Sequence, residues 1–316
     1  MASTAPFAPF EWMIAWRYLR ARRAEGGVST MTWISLIGIT LAVFALIATL
    51  AVRAGFRAEF VDTIVGANAH VTIYEIGTVQ ANGTVDRAIR DYDALAAQVA
   101  DAPGVTRVAP LVRGQVMADY RGSAAGMEVY GIAPQDFATI PRVANPETAI
   151  GDLARFSEGI AIGSGIARAL NVQIGDRIRL LSANGVRTPM GTSPRVNAYE
   201  VTYIFTAGRY DIDRTRAYLP MAEAQPFFNS EGAVHELEVM VENADDIDDY
   251  ATGILEAAGD RAYIWTWKEQ FAGFLDTLDI EDNVMSVIMS ILVLVATMNI
   301  ISGLIMLVKN KGRDIG

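Results

Sequence analysis

From Gly26 to Val52 the chain reads GGVSTMTWISLIGITLAVFALIATLAV, 27 residues without a formal charge. As a helix this run reaches about 40 Å at about 1.5 Å per residue, against a hydrocarbon core of about 30 Å. A lysine or aspartate at mid-bilayer costs about 2.5–3.5 kcal/mol, so an uninterrupted run is what spanning requires. The run is read as a transmembrane helix over residues 26–54, and the rest of the chain is placed relative to it.

A second uncharged run, Asn283 to Val308, is also long enough to span. Arg17, Arg20, Arg22 and Arg23 precede the first run, and Lys309, Lys311 and Arg313 follow the second. Cationic flanks stay cytoplasmic, which predicts both termini inside and the residues between the runs outside. The balance of charge agrees: of the formal net charge of −10, each flank carries +2 and the intervening stretch −14. Residues 1–25 place Phe10, Met13, Ile14 and Tyr18 on one helical face and arginines on the rest, the pattern of an amphipathic helix at a membrane surface. The segment before the first run is too long and too structured for a cleaved leader, and the run itself is too long.

The acidic balance argues against a nucleic-acid partner. The chain has no cysteine and two histidines, His70 and His235, far apart, which excludes disulfide and thiolate chemistry and argues against a structural zinc site. No GxxxxGK[ST] phosphate loop occurs. Gly163-Ser164-Gly165 lacks the first glycine of a nucleophile elbow, Ile162 standing there, and reads as a turn into a helix. No cofactor, metal site or catalytic residue is expected.

The stretch 55–282 reads as α+β. His70–Tyr74 alternates as a strand, Asp91–Ala100 is an acid-led helix, and the Pro103-Gly104 turn leads to a strand pair over Val105–Ala118. The same order recurs as strand Glu236–Val241, helix Asp245–Ala258 and strand Ala262–Trp267. Residues 68–118 and 236–267 are therefore read as two halves of one βαβ module. The acidic cluster Asp245, Asp246, Asp248 and Asp249 lacks the glycine and glutamate of a calcium loop and reads as a solvated helix start. Residues 119–235 form a second, β-rich module, with strands at Gly126–Tyr130, Gly159–Ile162, Arg177–Leu181, Tyr199–Thr206 and Arg216–Pro220 and a short helix at Gly165–Leu170. Its odd piece is Ser182–Asn197, SANGVRTPMGTSPRVN, expected as a protruding hairpin loop. In the first span Gly38, Ala42, Ala45 and Thr49 make one small-residue face for close helix packing. In the second, Asn299 lies one turn from Gly303. Simple anchoring explains these faces about as well as a transport role does.

Taken in order, these segments resemble the LolC/LolE-type membrane subunits of the lipoprotein-releasing ABC transporter. The resemblance covers essentially the whole chain and rests on FEWMIAWRYLRARR, on Gly55–Phe60, on Gly66–Ile73, and on the second span running into Met306–Ile315. It implies an α-helical membrane protein with a large α+β periplasmic domain of the MacB-like, two-subdomain kind, in the bacterial inner membrane. It also implies four spans, of which this chain shows two before Gly316, so two more are expected beyond it. Residues 309–316 then begin a cytoplasmic coupling helix, with Lys309, Lys311, Arg313 and Asp314 toward a LolD-like ATPase subunit. The implied partners are that ATPase, a second membrane subunit in a homo- or heterodimer, a LolA-like periplasmic lipoprotein chaperone, the lipoprotein cargo and the lipid bilayer.

Thr188-Pro189-Met190-Gly191, with Pro194 following, resembles the hook by which LolC-type subunits hold the chaperone. Arg179 corresponds to the first arginine of the adjoining basic pad. Val196 and Asn197 depart from the pad pattern, and Arg195 stands in. In the first span the resemblance assigns Gly38, Ala42 and Ala45 to packing and Val43, Leu46 and Leu50 to the lipoprotein path. The rival readings are a MacB-like or FtsX-like mechanotransmission subunit without lipoprotein cargo, and a two-span receptor with an extracytoplasmic sensing domain.

Overall fold

A computed structural model of the chain describes residues 9–20, 26–79, 83, 85–188 and 191–315. They divide into two units, Met1–Phe56 with Asp276–Gly316, and Arg57–Leu275.

The first unit is helical. Helix α1 (Pro9–Arg20) leaves Phe10, Trp12, Met13, Ile14 and Trp16 exposed. Helix α2 (Gly26–Ala67) runs 42 residues and does not stop where the charge-free run stops. It continues beyond residue 54, through Gly55, because Ile64, fully buried, with Val61 and Val65, joins the core of the second unit. Two stretches, Leu36–Gly66 of α2 and Ala272–Ile305 further on, are long and apolar enough to cross a membrane, and the most apolar part of each is uncovered by protein. A core helix of that length in a water-soluble protein would be buried.

In the second unit, β1 (Val71–Glu75) follows α2. A small hairpin, β2 (Thr78–Val79) with β3 (Val85–Asp86), leads to α3 (Tyr92–Ala100) and then to β4 (Val105–Tyr120). The residues 105–118 lie within one 16-residue strand, Val105–Tyr120, and do not form the expected pair. Pro110 does not break it. There β4 pairs only with a strand on one side, so the missing N–H leaves no ladder bond unmade. The chain proceeds through β5 (Ser123–Ile132), α4 (Pro134–Phe137), α5 (Pro141–Ala144), β6 (Thr148–Gly151), β7 (Ile160–Gly163) and α6 (Ser164–Leu170). Next come β8 (Arg177–Thr188), β9 (Gly191–Thr206), α7 (Tyr210–Thr215), β10 (Arg216–Pro220) and α8 (Met221–Phe227). The unit ends with β11 (Glu236–Val241), α9 (Ile247–Ala258), β12 (Ala262–Thr266) and α10 (Trp267–Gln270), and α11 (Ala272–Ile315) leads back to the first unit.

The strand order β12-β1-β11-β4 interleaves the two expected halves. Each strand is antiparallel to its neighbour, and the crossover helices α3 and α9 pack against each other. This is a split βαβ sheet. Everything between β4 and β11 is inserted into it. The inserted strands close a ring: β4 pairs β8, β8 pairs β9, β9 pairs β7, β7 pairs β10, β10 pairs β5, and β5 returns to β4. The first half of β4 belongs to the split sheet and the second half to the ring, so one strand carries the backbone ladder across both modules. One apolar cluster runs from Val71, Val99 and Val239 into the ring at Met127, Leu180 and Val201. A second, aromatic cluster lies outside the ring and is centred on Phe137, stacked 3.9 Å from Phe156.

The stretch 182–197 is not a loop. Ser182 pairs Arg195, and beyond a bulge Val186 pairs Ser193, Arg187 pairs Thr192 and Thr188 pairs Gly191. Its glycine and small polar residues provide a register shift rather than an open turn.

Candidate functional site

The hairpin β8–β9 is rooted in the ring and leaves it as a paired ribbon. Ile178, Leu180, Tyr199 and Val201 are buried at its base, whereas Ser193, Pro194, Val196 and Asn197 are exposed. Behind the base, the Tyr120 hydroxyl donates to Asp176 Oδ1 at 2.7 Å and the Gln173 N–H donates to Oδ2 at 2.8 Å. These two bonds, the Tyr120 one larger, hold the Asp176 carboxyl below its ordinary range. The Thr188–Gly191 pairing leaves two residues to close the hairpin. Pro189 and Met190 lie outside the described residues, as do the side chains of Thr188 and Gly191.

The two arginines of the expected pad are not brought together. Arg179 pairs Ala198 across the hairpin, and Arg195 pairs Ser182. In that register they stand on opposite faces. Arg179 is exposed, and its Nε donates to Asp119 Oδ2 at 3.0 Å. Arg195 donates to the carbonyl of Pro226 and to Asn229 Oδ1, the latter at 2.7 Å, at the end of α8. Arg195 therefore ties the hairpin to the ring and does not extend a basic surface beside Arg179.

In the helical unit, the partly covered residues of α2 include Ile39, Ala42, Leu46, Thr49 and Arg53, with Ala48 beside them, and those of α11 are Asp282, Met285, Met289 and Ala296, in line with the buried Leu278. Each set follows the three-four spacing of a helix seam. Arg53 Nε meets Asp282 Oδ1 at 2.8 Å. Of the small-residue face, Ala42 and Thr49 lie on the seam with α11, whereas Gly38 and Ala45 are exposed, and a Cβ on Gly38 would meet nothing within 4 Å. Leu46 lies on the seam, while Val43 and Leu50 are exposed. The Arg53–Asp282 pair lies on the same side of α2 as Ala42 and Thr49, and Gly38 and Ala45 lie off it. Gly303 is exposed, and the side chain of Asn299 lies outside the described residues. At the far end, α11 stays helical to Ile315; Lys309 is exposed, and the side chains of Lys311, Arg313 and Asp314 lie outside the described residues.

Among the described residues no group of three or more His, Asp or Glu side chains could hold a metal ion. His235 Nδ1 accepts from the Arg113 N–H at 2.9 Å, so its Nε2 carries the proton and faces Ser230 Oγ at 3.1 Å. An imidazole in that tautomer cannot take a proton from the serine. The Gly163-Ser164-Gly165 turn has a packing reason: a Cβ on Gly165 would fall 2.8 Å from the Asp213 carbonyl oxygen.

One polar constellation escaped the sequence reading. Where β4 passes from the split sheet to the ring, one sheet face carries Arg107 and Arg113 (β4), Glu128 (β5), Arg216 (β10), and Glu236 and Glu238 (β11). Arg113 Nε donates to Glu128 at 2.7 Å and its Nη1 lies 3.7 Å from Glu236. Arg107 donates to Glu238 at 3.1 Å. Arg216 donates to Asn68 Oδ1 at 2.8 Å and lies over the Tyr130 ring, whose hydroxyl donates to Glu128 Oε2 at 2.9 Å. Burial alone would raise Glu128, but the hydrogen bond and charge of Arg113 bring it below its usual range. Glu236, only 3% exposed, is pushed up to about 6 by burial. The available signal was a pair of glutamates two apart, ELEVMV, facing one way on a strand otherwise apolar enough to be buried.

Residues 32–257 match the MacB-like periplasmic core domain family. The chain is 27% identical over 310 residues to the lipoprotein-releasing system transmembrane protein LolC of Neisseria meningitidis serogroup B, covering 96% of this chain and 72% of that protein. It is 26% identical over 309 residues to the corresponding LolE of Haemophilus influenzae, with the same coverage. Among solved structures, the periplasmic region of MacB from Actinobacillus actinomycetemcomitans superposes with a TM-score of 0.43 at 10% identity, over 67% of this chain and 95% of that one. With more than half of its residues inside the core-domain match, the chain belongs to the MacB-like periplasmic core domain family, as a subunit of the LolC/LolE type.

Proposed function

We propose that this chain is a membrane subunit of an ABC transporter that releases lipoproteins from the inner membrane and passes them to a periplasmic chaperone. The single observation that carries this reading is the β8–β9 hairpin. It is paired out to Thr188–Gly191 on a core domain of this family, and it is anchored at its base by Arg195. A hairpin held by its own ladder has little ordering left to lose on docking, which favours its use as a rigid hook. In this reading α2 and α11 span the inner membrane with both chain termini cytoplasmic, and the domain between them is periplasmic. Val43 and Leu50, exposed on α2, meet the acyl chains. ATP is hydrolysed on a separate subunit, which the α11 end around Lys309 approaches, and a second membrane subunit completes the path.

The test is removal of Thr188–Pro194 from the chain co-expressed with its ATPase. Loss of chaperone capture, with the ATPase still co-purifying, is expected. Capture that survives the deletion overturns the hook.

A further inference from the structure

The charged face between the split sheet and the ring has a geometry that hairpin docking does not use. The ring is an insertion, joined to the split sheet by β4 and by the segment entering β11. At that junction Arg113 stands between two carboxylates on different modules: Glu128 on ring strand β5 and Glu236 on split-sheet strand β11. It favours Glu128 by an ångström. Glu236 is the more deeply buried, and beside it opens a cavity of about 220 Å³ lined by Thr72, Arg113, Glu128, Tyr130, Arg216 and Gln270, among others. A buried carboxylate that shares its arginine and adjoins a cavity can lower its energy by admitting water. A neutral carboxyl in the same place has no such need.

We propose that Glu236 is a proton-operated latch: protonated, it lets the split sheet and the ring close on each other, and ionised, it opens the seam to water.

The groups facing it account for the sign. Tyr74 on β1 donates a hydrogen bond to it and stacks at 5.2 Å on Tyr263 of β12. Arg113 favours its ionised form, and Glu238 and Glu128 oppose that form. Arg107 is taken by Glu238, Arg209 by Asp211 of α7, and Arg216 bonds Asn68. With Glu236 neutral, the remaining glutamates each keep an arginine. Its raised pKa of about 6, against an ordinary 4.5, means that the closed seam binds the proton more tightly than a hydrated one. The ratio of open to closed therefore rises as pH rises through the interval from 4.5 to 6, by about thirtyfold in all. The two histidines add no latch of their own: His235 points its ring at Ser230 and the Arg113 backbone, and His70 points at Val241.

The chain has no cysteine, so spin labels can be placed at will. In full-length chain in lipid nanodiscs, Asp249→Cys on α9 and Gln173→Cys in the ring report the distance between modules by pulsed electron resonance. A distribution that is narrow at pH 4.5 and gains a longer component by pH 7 is expected. Glu236→Gln should hold the narrow distribution at every pH. Tyr74→Phe, which removes a bond favouring the ionised form, should extend the transition to higher pH. A wild-type distribution unchanged from pH 4.5 to 8, or a Glu236→Gln chain that titrates as wild type does, overturns the latch. Should Glu236→Gln fail to fold, an unmoved transition in Tyr74→Phe also overturns it.

Discussion

The N–H of Val241 donates to His70 Nδ1 at 3.0 Å, tying the residue before β1 to the end of β11. The ring is buried, and burial lowers its pKa from 6.5 to about 4, with the hydrogen bond opposing and the charge of Arg107 assisting. Between these values the unfolded chain binds a proton that the folded chain refuses. The stability that neutral His70 provides is whole above pH 6.5 and is lost as pH falls toward 4, up to about 3 kcal/mol. Denaturant titrations of the chain at pH 7, 5.5 and 4.5, followed on residues 57–275, should show this decline, and His70→Gln should flatten it.

Gly114 sits in β4 where a Cβ would fall 2.1 Å from Cε1 of Phe228. Phe228 is packed among Phe227 and its neighbours and cannot swing away. Gly114→Ala should destabilise the chain by about 2 kcal/mol, the usual range for an overpacked core. Gly114→Ala with Phe228→Leu should recover more than half of the loss. Additive losses in the double mutant would refute the contact.

Arg142 of α5 reaches Asp62 and Glu59 on the continuation of α2. The carboxylates are well exposed, so solvent and salt screen the pairs. Arg142→Ala should cost less than about 1 kcal/mol in low salt, and the difference should vanish in molar salt. A large, salt-insensitive loss would mean that the guanidinium supports α2 by packing.

The two hairpin arginines should separate experimentally. Arg195→Ala frees the hairpin from Pro226 and Asn229 and should speed amide exchange along residues 191–198 several-fold. Arg179→Ala removes only an exposed pair with Asp119 and should leave that exchange unchanged. If chaperone capture falls in Arg179→Ala with the exchange unchanged, Arg179 acts through contact and not through fold.

Much of this molecule was readable from residue pattern. The charge-free runs marked both long helices, because spanning depends on composition over about twenty residues and on little else. The strand expected at Arg216–Pro220 is found there, and the helices expected at Asp91–Ala100, from its acidic start, and at Gly165–Leu170 are found at Tyr92–Ala100 and Ser164–Leu170. The strand pair expected over Val105–Ala118 is one strand, because a proline tolerated beside an unpaired edge, such as Pro110, cannot be told from a breaker without knowing the partner strand. The ribbon over 182–197 read as a loop because glycine and proline signal turns locally, whereas the ladder that holds them depends on pairing across the hairpin, from Thr188–Gly191 out to Ser182–Arg195.

The sequence by itself determined the two apolar helices, the acidic domain between them and the alternation of its strands, all properties that a short window of residues carries. Only the tertiary structure decided that β4 serves two modules, that six strands close a ring, that Arg179 and Arg195 face apart, and that Glu236 shares an arginine with Glu128. The physical reason is that strand register and side-chain facing are set by pairings between distant segments. A one-residue shift in any of them would turn every side chain to the other face.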